Sequence, residues 1–265
     1  MSKNKQFNHF VFTRFNIRTQ WKKNIRYVGL DEEWLSKRFD LFEAVCLPLM
    51  ARQTQKSFKW LIFLNEETPN KYVRRMSDWC AKYPFMVPIY MKVEDQEQIL
   101  DEMNRRSVPG CLRIMSRLDN DDAVHPRMIE SIQKMAKKYC GSNDLERGFF
   151  ISFPIGYSEN NGDYYLQRFR YNAFNSFVSV PEHNRIIYYW NHTKVADVAP
   201  VYLSYTRPMW CQGIHDDNVT NTIRGIYFPW GQRSFFATGR KISSHSIAWK
   251  CGEFWRSCKY YLFGT

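Results

Sequence analysis

The fold of this chain is decided by the stretch LRIMSRLDNDD at residues 112–122. Its apolar first half predicts a buried strand, and three carboxylates follow within four residues at the strand end. Like charges this close repel each other, and burial makes each of them more costly. A cation would neutralise them, and carboxylate oxygens suit Mg²⁺ and Mn²⁺, which bridge protein carboxylates to phosphates. The stretch therefore predicts a metal–phosphate site, with an acidic turn that caps the next helix as the alternative.

Strand-like and helix-like patterns alternate on both sides of this stretch. Apolar runs predict strands at residues 7–15, 58–64, 87–93 and 112–118. Apolar residues at helical spacing predict helices at 34–52, 69–83 and 95–106, and a further helix that Pro126 opens. Such alternation with short connections indicates an α/β fold, in which helices flank both faces of a mostly parallel sheet.

Polar side chains follow three of the predicted strands. In open parallel sheets, ligands bind outside the carboxyl ends of the strands, so we expect these three ends to lie together. This convergence favours the cation site over the helix cap. The residues concerned are Thr13, Arg14, Asn16, Asn65, Glu66 and the stretch 117–122.

Two arginines at these strand ends each have two possible roles. Arg117 can hold a phosphate with two parallel hydrogen bonds, or it can form an ion pair with Asp119 or Asp122. Arg14 has the same two alternatives, a phosphate or an ion pair with a carboxylate at the strand end.

The alternating pattern changes after about residue 147. Short strand-like segments at 148–157, 164–169 and 177–180 are separated by Gly, Asn and Pro, and helical periodicity is weak until 217–224. We therefore predict one domain over residues 1–265, in which a mixed half at 148–265 closes a site built by the α/β half at 1–147.

Composition narrows the class of protein. Hydrophobic residues make up 44% and aromatic residues 17%, which predicts a folded globular protein. No apolar run approaches the length of about 20 residues that a membrane-spanning helix needs, and the N-terminus does not match a secretory signal. The seven cysteines form no CxxC pair, which argues against a disulfide framework or zinc site and favours a reducing cytosol.

The net charge of +12 favours a polyanionic partner, such as nucleic acid, anionic lipid or a phosphorylated substrate. The lysines and arginines are scattered, however, and they match no helix-turn-helix, zinc-finger or RNP pattern. We therefore expect no specific binding of nucleic acid.

Four segments together resemble bacterial rhamnosyltransferase-like proteins, which are similar in turn to glycosyltransferases of the GT-A type. The segments are FTRFN at 12–16, LPLMARQTQKSFKWLIFLNE at 47–66, RLDNDDAVHP at 117–126 and WCQGIHDDNVTN at 210–221. The resemblance covers about residues 7–225. It implies a GT-A-like fold, with a nucleotide-sugar-binding half at 1–147 and a mixed acceptor region at 148–265.

The resemblance also implies roles for individual residues. Asp119 and Asp121 match the Asp-x-Asp metal motif of such enzymes, and Asp122 lies beside them. His215 corresponds to a late metal or diphosphate contact, and Asn218 accompanies it as a nucleotide contact. The remaining implied nucleotide contacts are Thr13, Arg14, Asn16, Asn65, Glu66 and Arg117.

The catalytic base depends on the stereochemistry of the reaction. If the reaction inverts configuration, a carboxylate must take the proton from the acceptor hydroxyl. Asp216 and Asp217 are the nearest candidates in sequence, and the alternative role of either is to cap a helix that starts near Asn218. A retaining reaction has no need of such a base.

The implied function is metal-dependent transfer of a sugar, with rhamnose indicated by the family label alone. The donor would be a nucleotide-diphosphate sugar, the cofactor Mn²⁺ or Mg²⁺, and the acceptor a surface polysaccharide, a lipopolysaccharide or a lipid-linked glycan. A metal-dependent phosphotransferase or nuclease is an alternative, since carboxylate clusters also serve two-metal chemistry. A nucleic-acid-binding protein that is not an enzyme is the other.

Residues 239–265 combine basic and aromatic side chains. Such a composition suits the interface of an anionic membrane, and lipid-linked acceptors would be found there. We therefore expect a cytoplasmic protein, with peripheral contact on the cytoplasmic face of the inner membrane. The alternative is a terminal helix whose aromatic side chains complete the core.

Overall fold

The computed structural model describes residues 7–19, 27–142, 144–215, 223–229 and 245–263, with side chains as far as residue 259. The strands among them are β1 (Phe7–Arg14), β2 (Lys59–Asn65), β3 (Met86–Met91), β4 (Leu112–Arg117), β5 (Ala123–Val124), β6 (Phe149–Ser152), β7 (Ile155–Asn160), β8 (Asp163–Arg168), β9 (Ser176–Ser179), β10 (Val201–Leu203), β11 (Trp210–Gly213) and β12 (Ile226–Tyr227). The α-helices are α1 (Glu32–Leu41), α2 (Leu47–Ala51), α3 (Asn70–Lys82), α4 (Gln96–Arg105), α5 (Met128–Tyr139) and α6 (Ile247–Phe263).

The larger sheet has seven strands in the order β10-β6-β9-β4-β1-β2-β3. Helices cover both of its faces, because its strands carry buried apolar side chains on both sides. On one face Val11 and Ile62 pack with α1, α3 and α5. On the other, Phe12 and Phe63 pack with Ile99 of α4 and with the segment 186–199. The predicted α/β fold with a mostly parallel sheet is confirmed.

The exception in the sheet is β9, which lies antiparallel between β4 and β6. Strands β6 and β10 are parallel to each other and, through β9, to β4. Three strands of the second half therefore extend the sheet of the first half. Sequence patterns predicted short strands near β6 and β9 but none at β10, and they did not indicate that these strands join the same sheet.

The predicted helix at 34–52 forms as three connected pieces. A wide turn of π-helix at Phe42–Cys46 lies between α1 and α2, and the Leu47 N–H donates to the Phe42 carbonyl five residues earlier. Pro48 follows directly and has no N–H with which to continue the α-helical series of hydrogen bonds. The apolar periodicity predicted the helix correctly, but this change of pitch was not predicted.

A second, five-stranded sheet has the order β12-β8-β7-β11-β5. Strand β5 follows the acidic cluster directly and pairs antiparallel with β11, with Trp210 opposite Val124 and Cys211 opposite Ala123. Because the pair is antiparallel, the chain that leaves β11 runs back toward the residues that precede β5. This register brings His215 to the acidic cluster.

Helix α6 packs on β12 through part of one side. The Ser257 hydroxyl accepts the Tyr227 N–H at 2.8 Å, and Trp249 meets Tyr227 edge to face. Ile247 and Trp255 are 81% and 71% exposed, so the aromatic residues of this helix complete the core only in part. None of the helices within the described residues is long and apolar enough to cross a membrane. The helix predicted at 217–224 lies mostly outside the described residues.

Gly156 gives Trp210 room to lie against β7. The indole N–H of Trp210 donates to the Phe153 carbonyl at 2.7 Å, and its ring stacks on Phe174. A Cβ at position 156 would come within 2.2 Å of the Trp210 ring. The junction between β7 and β11 therefore depends on a residue without a side chain.

We expect Gly156→Ala to lower the free energy of unfolding by about 1–3 kcal/mol, because the Trp210 ring must move out of its packed position. Denaturant unfolding of the purified protein measures this loss. Gly141→Ala is the matched control, because nothing lies within 4 Å of a Cβ added there. Equal stability of the two variants would contradict the close approach of Trp210 and β7.

Candidate functional site

The three predicted strand ends lie side by side, because β4, β1 and β2 are neighbours in the sheet. The Leu118 N–H donates to the Phe12 carbonyl at 3.0 Å. The Thr13 hydroxyl donates to the Leu118 carbonyl at 2.7 Å. The Asn65 N–H donates to the Asn16 Oδ1 at 3.1 Å. Hydrogen bonds thus join the ends of all three strands into one edge.

Several side chains predicted to contact a nucleotide are engaged within the protein. Thr13 is buried and also accepts a hydrogen bond from the Trp60 indole. The Asn16 amide donates to the Gly29 carbonyl and to Thr68. Asn65 accepts from the Glu67 N–H and donates to the Lys92 carbonyl. These side chains shape the edge, and their contact with a nucleotide stays a prediction, as does that of the exposed Glu66.

Asp121 is buried and bound by two cationic or ionisable partners. Its Oδ2 lies 2.7 Å from Nη1 of Arg38 and 2.8 Å from Nε2 of His215. Burial acts to raise the pKa of Asp121, but the hydrogen bonds and charges of His215 and Arg38 outweigh it and lower that pKa. Asp121 therefore stays ionised and joins α1, the end of β4 and the chain after β11.

The other two carboxylates of the cluster have different surroundings. The Asp122 Oδ1 accepts the Gly213 N–H at 3.0 Å, so this side chain ties the cluster to β11. Asp119 is partly exposed, and no described residue donates a hydrogen bond to its carboxylate. Burial raises the pKa of Asp119; Asp121 raises it further, whereas Arg117, Arg14 and Arg38 oppose the rise. Asp119 is thus the carboxylate best placed for an external ligand.

Arg14 and Arg117 lie over the ring of Tyr188. Their guanidinium carbons are 3.7 and 5.1 Å from its ring centroid, and the Tyr188 hydroxyl donates to the Phe12 carbonyl. Arg14 also pairs with Glu94 at 2.6 Å, a partner that the sequence did not indicate. Arg117 makes no ion pair with a described carboxylate, and its Nη1 lies 3.5 Å from Nδ1 of His192. The predicted pairing of Arg117 with Asp119 or Asp122 is therefore wrong for the described part of the chain.

Sequence patterns did not point to Arg38, Glu94, Tyr188 or His192. Arg38 is buried with the apolar residues of α1, and a basic residue among the inward positions of a helix is the local signal that could have indicated it. Tyr188 and His192 belong to short 3₁₀ segments with no periodicity of their own. Their placement depends on contacts across the chain.

The acidic cluster does not offer enough described protein ligands to enclose a divalent ion by itself. Among the described residues no three His, Cys, Asp or Glu side chains are grouped to hold a metal. Asp121 and His215 nevertheless meet at one point, and Mg²⁺ is commonly held by one or two carboxylates together with substrate phosphates. The pair fits an ion that phosphate oxygens complete. The predicted set of four protein ligands does not form, because Asp122 is directed to the Gly213 backbone.

Asp216, Asp217 and Asn218 lie outside the described residues. Their predicted roles as base candidates and as a nucleotide contact therefore stay predictions.

A family model described as "Putative rhamnosyl transferase" matches residues 6–227. No curated protein sequence matches the chain. The solved structure of TarS from S. aureus is similar at 5% identity and a TM-score of 0.43, over 78% of this chain and 37% of TarS. TarS 1–349 in complex with UDP-GlcNAc is similar at 8% identity and a TM-score of 0.44, over 80% of this chain and 60% of that one.

A structure from Bacillus anthracis, described as a "Putative Glucose-1-Phosphate Thymidylyltransferase", is similar at 7% identity and a TM-score of 0.37. It overlaps 77% of this chain and 89% of its own. The chain thus spans 37% of the TarS chain and 60% of TarS 1–349, less than two thirds of either.

Replacement of Arg38 by Met should leave the buried Asp121 carboxylate with one partner fewer. We expect the free energy of unfolding to fall by about 3 kcal/mol, as when one member of a buried ion pair is removed. Denaturant unfolding measures the change. Lys37→Met is the control, since Lys37 and Glu33 form an exposed pair whose loss should cost no more than about 1 kcal/mol. Similar losses in the two variants would show that the Arg38–Asp121 pair is not a buried one.

Three histidines should make the protein less stable in acid. Burial lowers the pKa of His9 to about 3, and burial with nearby arginines lowers the pKa of His125 and of His192 to about 4. The unfolded chain takes up these protons near pH 6.5, so stability is lost as pH falls from about 6.5 to 4. In urea unfolding, His192→Gln should reduce this loss by up to ~1.4 kcal/mol per pH unit. An unchanged pH dependence would contradict the lowered pKa of His192.

Proposed function

We propose, from the premise that this chain belongs to the rhamnosyl transferase family and is a glycosyltransferase, that its donor is a nucleoside-diphosphate sugar. The observation that carries the proposal is the group at the carboxyl edge of β1 and β4. There the partly exposed Asp119 carboxylate lies among the charges of Arg14, Arg117 and Asp121. Such a group of both signs suits a diphosphate that is bound through cations and released as the sugar is transferred.

The arginines have complementary tasks in this proposal. Arg117 binds the diphosphate, because its guanidinium is not neutralised by a described carboxylate and can donate two parallel hydrogen bonds. Arg14 is held by Glu94 on one side and by the Tyr188 ring on the other, so it adds positive potential from a fixed position. Both arginines stabilise the charge that develops on the leaving diphosphate.

A divalent ion, Mn²⁺ or Mg²⁺, would be held by Asp121 and His215 and completed by the diphosphate oxygens, with Asp119 facing the same ligand. When bound, it supplies Lewis-acid stabilisation of the leaving group. Arg38 keeps Asp121 ionised and oriented for this task. The donor nucleotide contacts predicted at Thr13, Asn16, Asn65, Glu66 and Asn218 belong to the same proposal.

The acceptor side of the proposal rests on the family and on the sequence. Asp216 or Asp217 is the general base if the reaction inverts configuration, because both follow His215 directly. We propose rhamnose as the sugar, and a surface polysaccharide, a lipopolysaccharide or a lipid-linked glycan as the acceptor. The family match favours glycosyl transfer over a phosphotransferase, a nuclease or a nucleic-acid-binding protein.

A thermal-shift screen tests the donor and the ion together. UDP, dTDP and GDP are each added with and without Mn²⁺, since a ligand that binds only the folded protein stabilises it, by about 2.7 kcal/mol at 100 times its Kd. We expect one nucleotide to raise the melting temperature further when Mn²⁺ is present.

Asp121→Asn should abolish the part of this shift that depends on Mn²⁺, because the ion loses its charged ligand. The control is Asp101→Asn, which changes an exposed carboxylate of α4. If no nucleotide shifts the melting temperature of the unmodified protein, the proposed donor class is wrong. If the Mn²⁺-dependent shift survives in Asp121→Asn, the proposed ion site is wrong.

Peripheral membrane contact through α6 is part of the proposal, because Trp255, Arg256 and Lys259 are all exposed on this helix. We expect co-sedimentation with vesicles that contain anionic phosphatidylglycerol and none with pure phosphatidylcholine. Arg256→Glu should weaken binding by roughly fivefold or more, since each basic residue near such a surface is worth about 1 kcal/mol. Arg105→Glu, on α4, is the matched exposed control. Equal partitioning of both variants would remove the anchoring role of α6.

A further inference from the structure

The Asn175 side chain and one nitrogen of Arg117 are buried at the junction of β4 and β9 without a described hydrogen-bond partner. Asn175 is 1% exposed, and neither its Nδ2 nor its Oδ1 is bonded by a described residue. Nε of Arg117, at the end of the paired strand β4, is also buried and without a described partner. Almost all buried polar groups in proteins are hydrogen-bonded, so three such atoms in one place indicate a missing partner.

The strand register places these two side chains next to each other. The Arg117 N–H donates to the Asn175 carbonyl at 3.3 Å, which continues the antiparallel pairing of Ser116 with Ser176. Met115 pairs with Phe177, two positions from Arg117 and Asn175 on the two strands, and both belong to the same buried cluster. Because side chains alternate along a strand, Arg117 and Asn175 share the face of the sheet on which Met115 and Phe177 lie.

This face leads directly to the proposed diphosphate site. Asp119 follows Arg117 by two residues, and Tyr188 of the same buried cluster carries the guanidinium groups of Arg14 and Arg117 on its ring. Asn175 directly precedes β9, which runs antiparallel to β4, so it lies beside the end of β4 that leads to Asp119. Asn175 is therefore next to the proposed diphosphate site, to which the sugar of the donor would be attached.

The chemistry of the unpaired atoms favours a partner that both donates and accepts hydrogen bonds. The Asn175 amide offers donors and an acceptor, and Nε of Arg117 offers one donor. A sugar hydroxyl both donates and accepts, so it can satisfy Oδ1 of Asn175 as well as the donors. A phosphate oxygen accepts only and would leave Oδ1 unpaired. Neither a purely anionic nor a purely apolar group matches this set.

We propose that Asn175 is a specificity-determining residue that binds a hydroxyl of the donor sugar, together with Nε of Arg117. The proposal rests on the function proposed above. The contact from Nη1 of Arg117 to Nδ1 of His192 is 3.5 Å long and hence at the outer limit of a hydrogen bond. A sugar oxygen that enters can replace this contact at little cost.

Asn175→Leu tests the proposal, because leucine has a similar size and no polar atoms. Calorimetry compares the binding of UDP with UDP-GlcNAc, of dTDP with dTDP-rhamnose and of GDP with GDP-mannose. For the pair that the protein binds, we expect the sugar conjugate to bind about tenfold more weakly in the variant, as for loss of a buried hydrogen bond. Binding of the diphosphate alone should change by less than about twofold.

The melting temperature separates a binding role from a structural one. An unpaired buried amide is costly, so Asn175→Leu should melt no lower than the unmodified protein. Ser179→Ala is the matched control, because the Ser179 hydroxyl is also buried on β9 without a described partner but lies at the other end of the strand. We expect this control to bind the sugar conjugate normally.

Three results would overturn the proposal. One is unchanged affinity of Asn175→Leu for the sugar conjugate, and another is equal weakening of the conjugate and the diphosphate. The third is a melting temperature that falls in both Asn175→Leu and Asn175→Ser while sugar binding persists in the serine variant. If Asn175→Leu does not fold, Asn175→Ser is used for the binding comparison. Absence of any nucleotide binding by the unmodified protein would instead refute the proposed function itself.

Discussion

The buried carboxylate of Asp121, shared between Arg38 and His215, is the interaction on which the site depends. A carboxylate taken out of water is costly unless it is paired, and removal of one partner from such a pair is strongly destabilising. Asp121 therefore joins three separate parts of the chain: helix α1, the end of β4 and the segment after β11. The two sheets meet at this point. The buried charge of Asp121 therefore costs free energy to desolvate, and its pairing also fixes the positions of the residues around it.

The three neighbouring carboxylates of the cluster consequently have different partners. Asp121 is paired with Arg38 and His215, Asp122 accepts the Gly213 N–H, and Asp119 is partly exposed with no hydrogen bond from a described residue. Identical side chains within four positions thus have three environments, which is how a small cluster can be both structural and reactive. Arg14 and Arg117, held against Tyr188, supply the opposite charge at the same edge.

The local pattern of apolar residues was enough to predict the strands that build this edge and the helix α3 beside them. The predicted strands at 7–15, 58–64 and 112–118 differ from β1, β2 and β4 by one residue at each end at most, and the helix predicted at 69–83 is α3. Their apolar runs are continuous because both faces of the sheet are covered, which makes them easy to recognise. The convergence of polar strand ends followed from the parallel topology. The π-helical turn before Pro48 and the antiparallel β9 left no comparable pattern.

The residues alone thus indicated an α/β fold, a carboxylate cluster at a strand end and the edge where a ligand would bind, because hydrophobic periodicity and the succession of segments along the chain are local properties. Tertiary structure was needed to distinguish Asp119 from Asp121 and Asp122, and to reveal Arg38, Tyr188 and Asn175 beside them. These assignments depend on partners that lie far away in sequence, such as Arg38, 83 positions before Asp121. An ion pair or an unpaired amide is a property of atoms brought together by folding, and no local spacing encodes it.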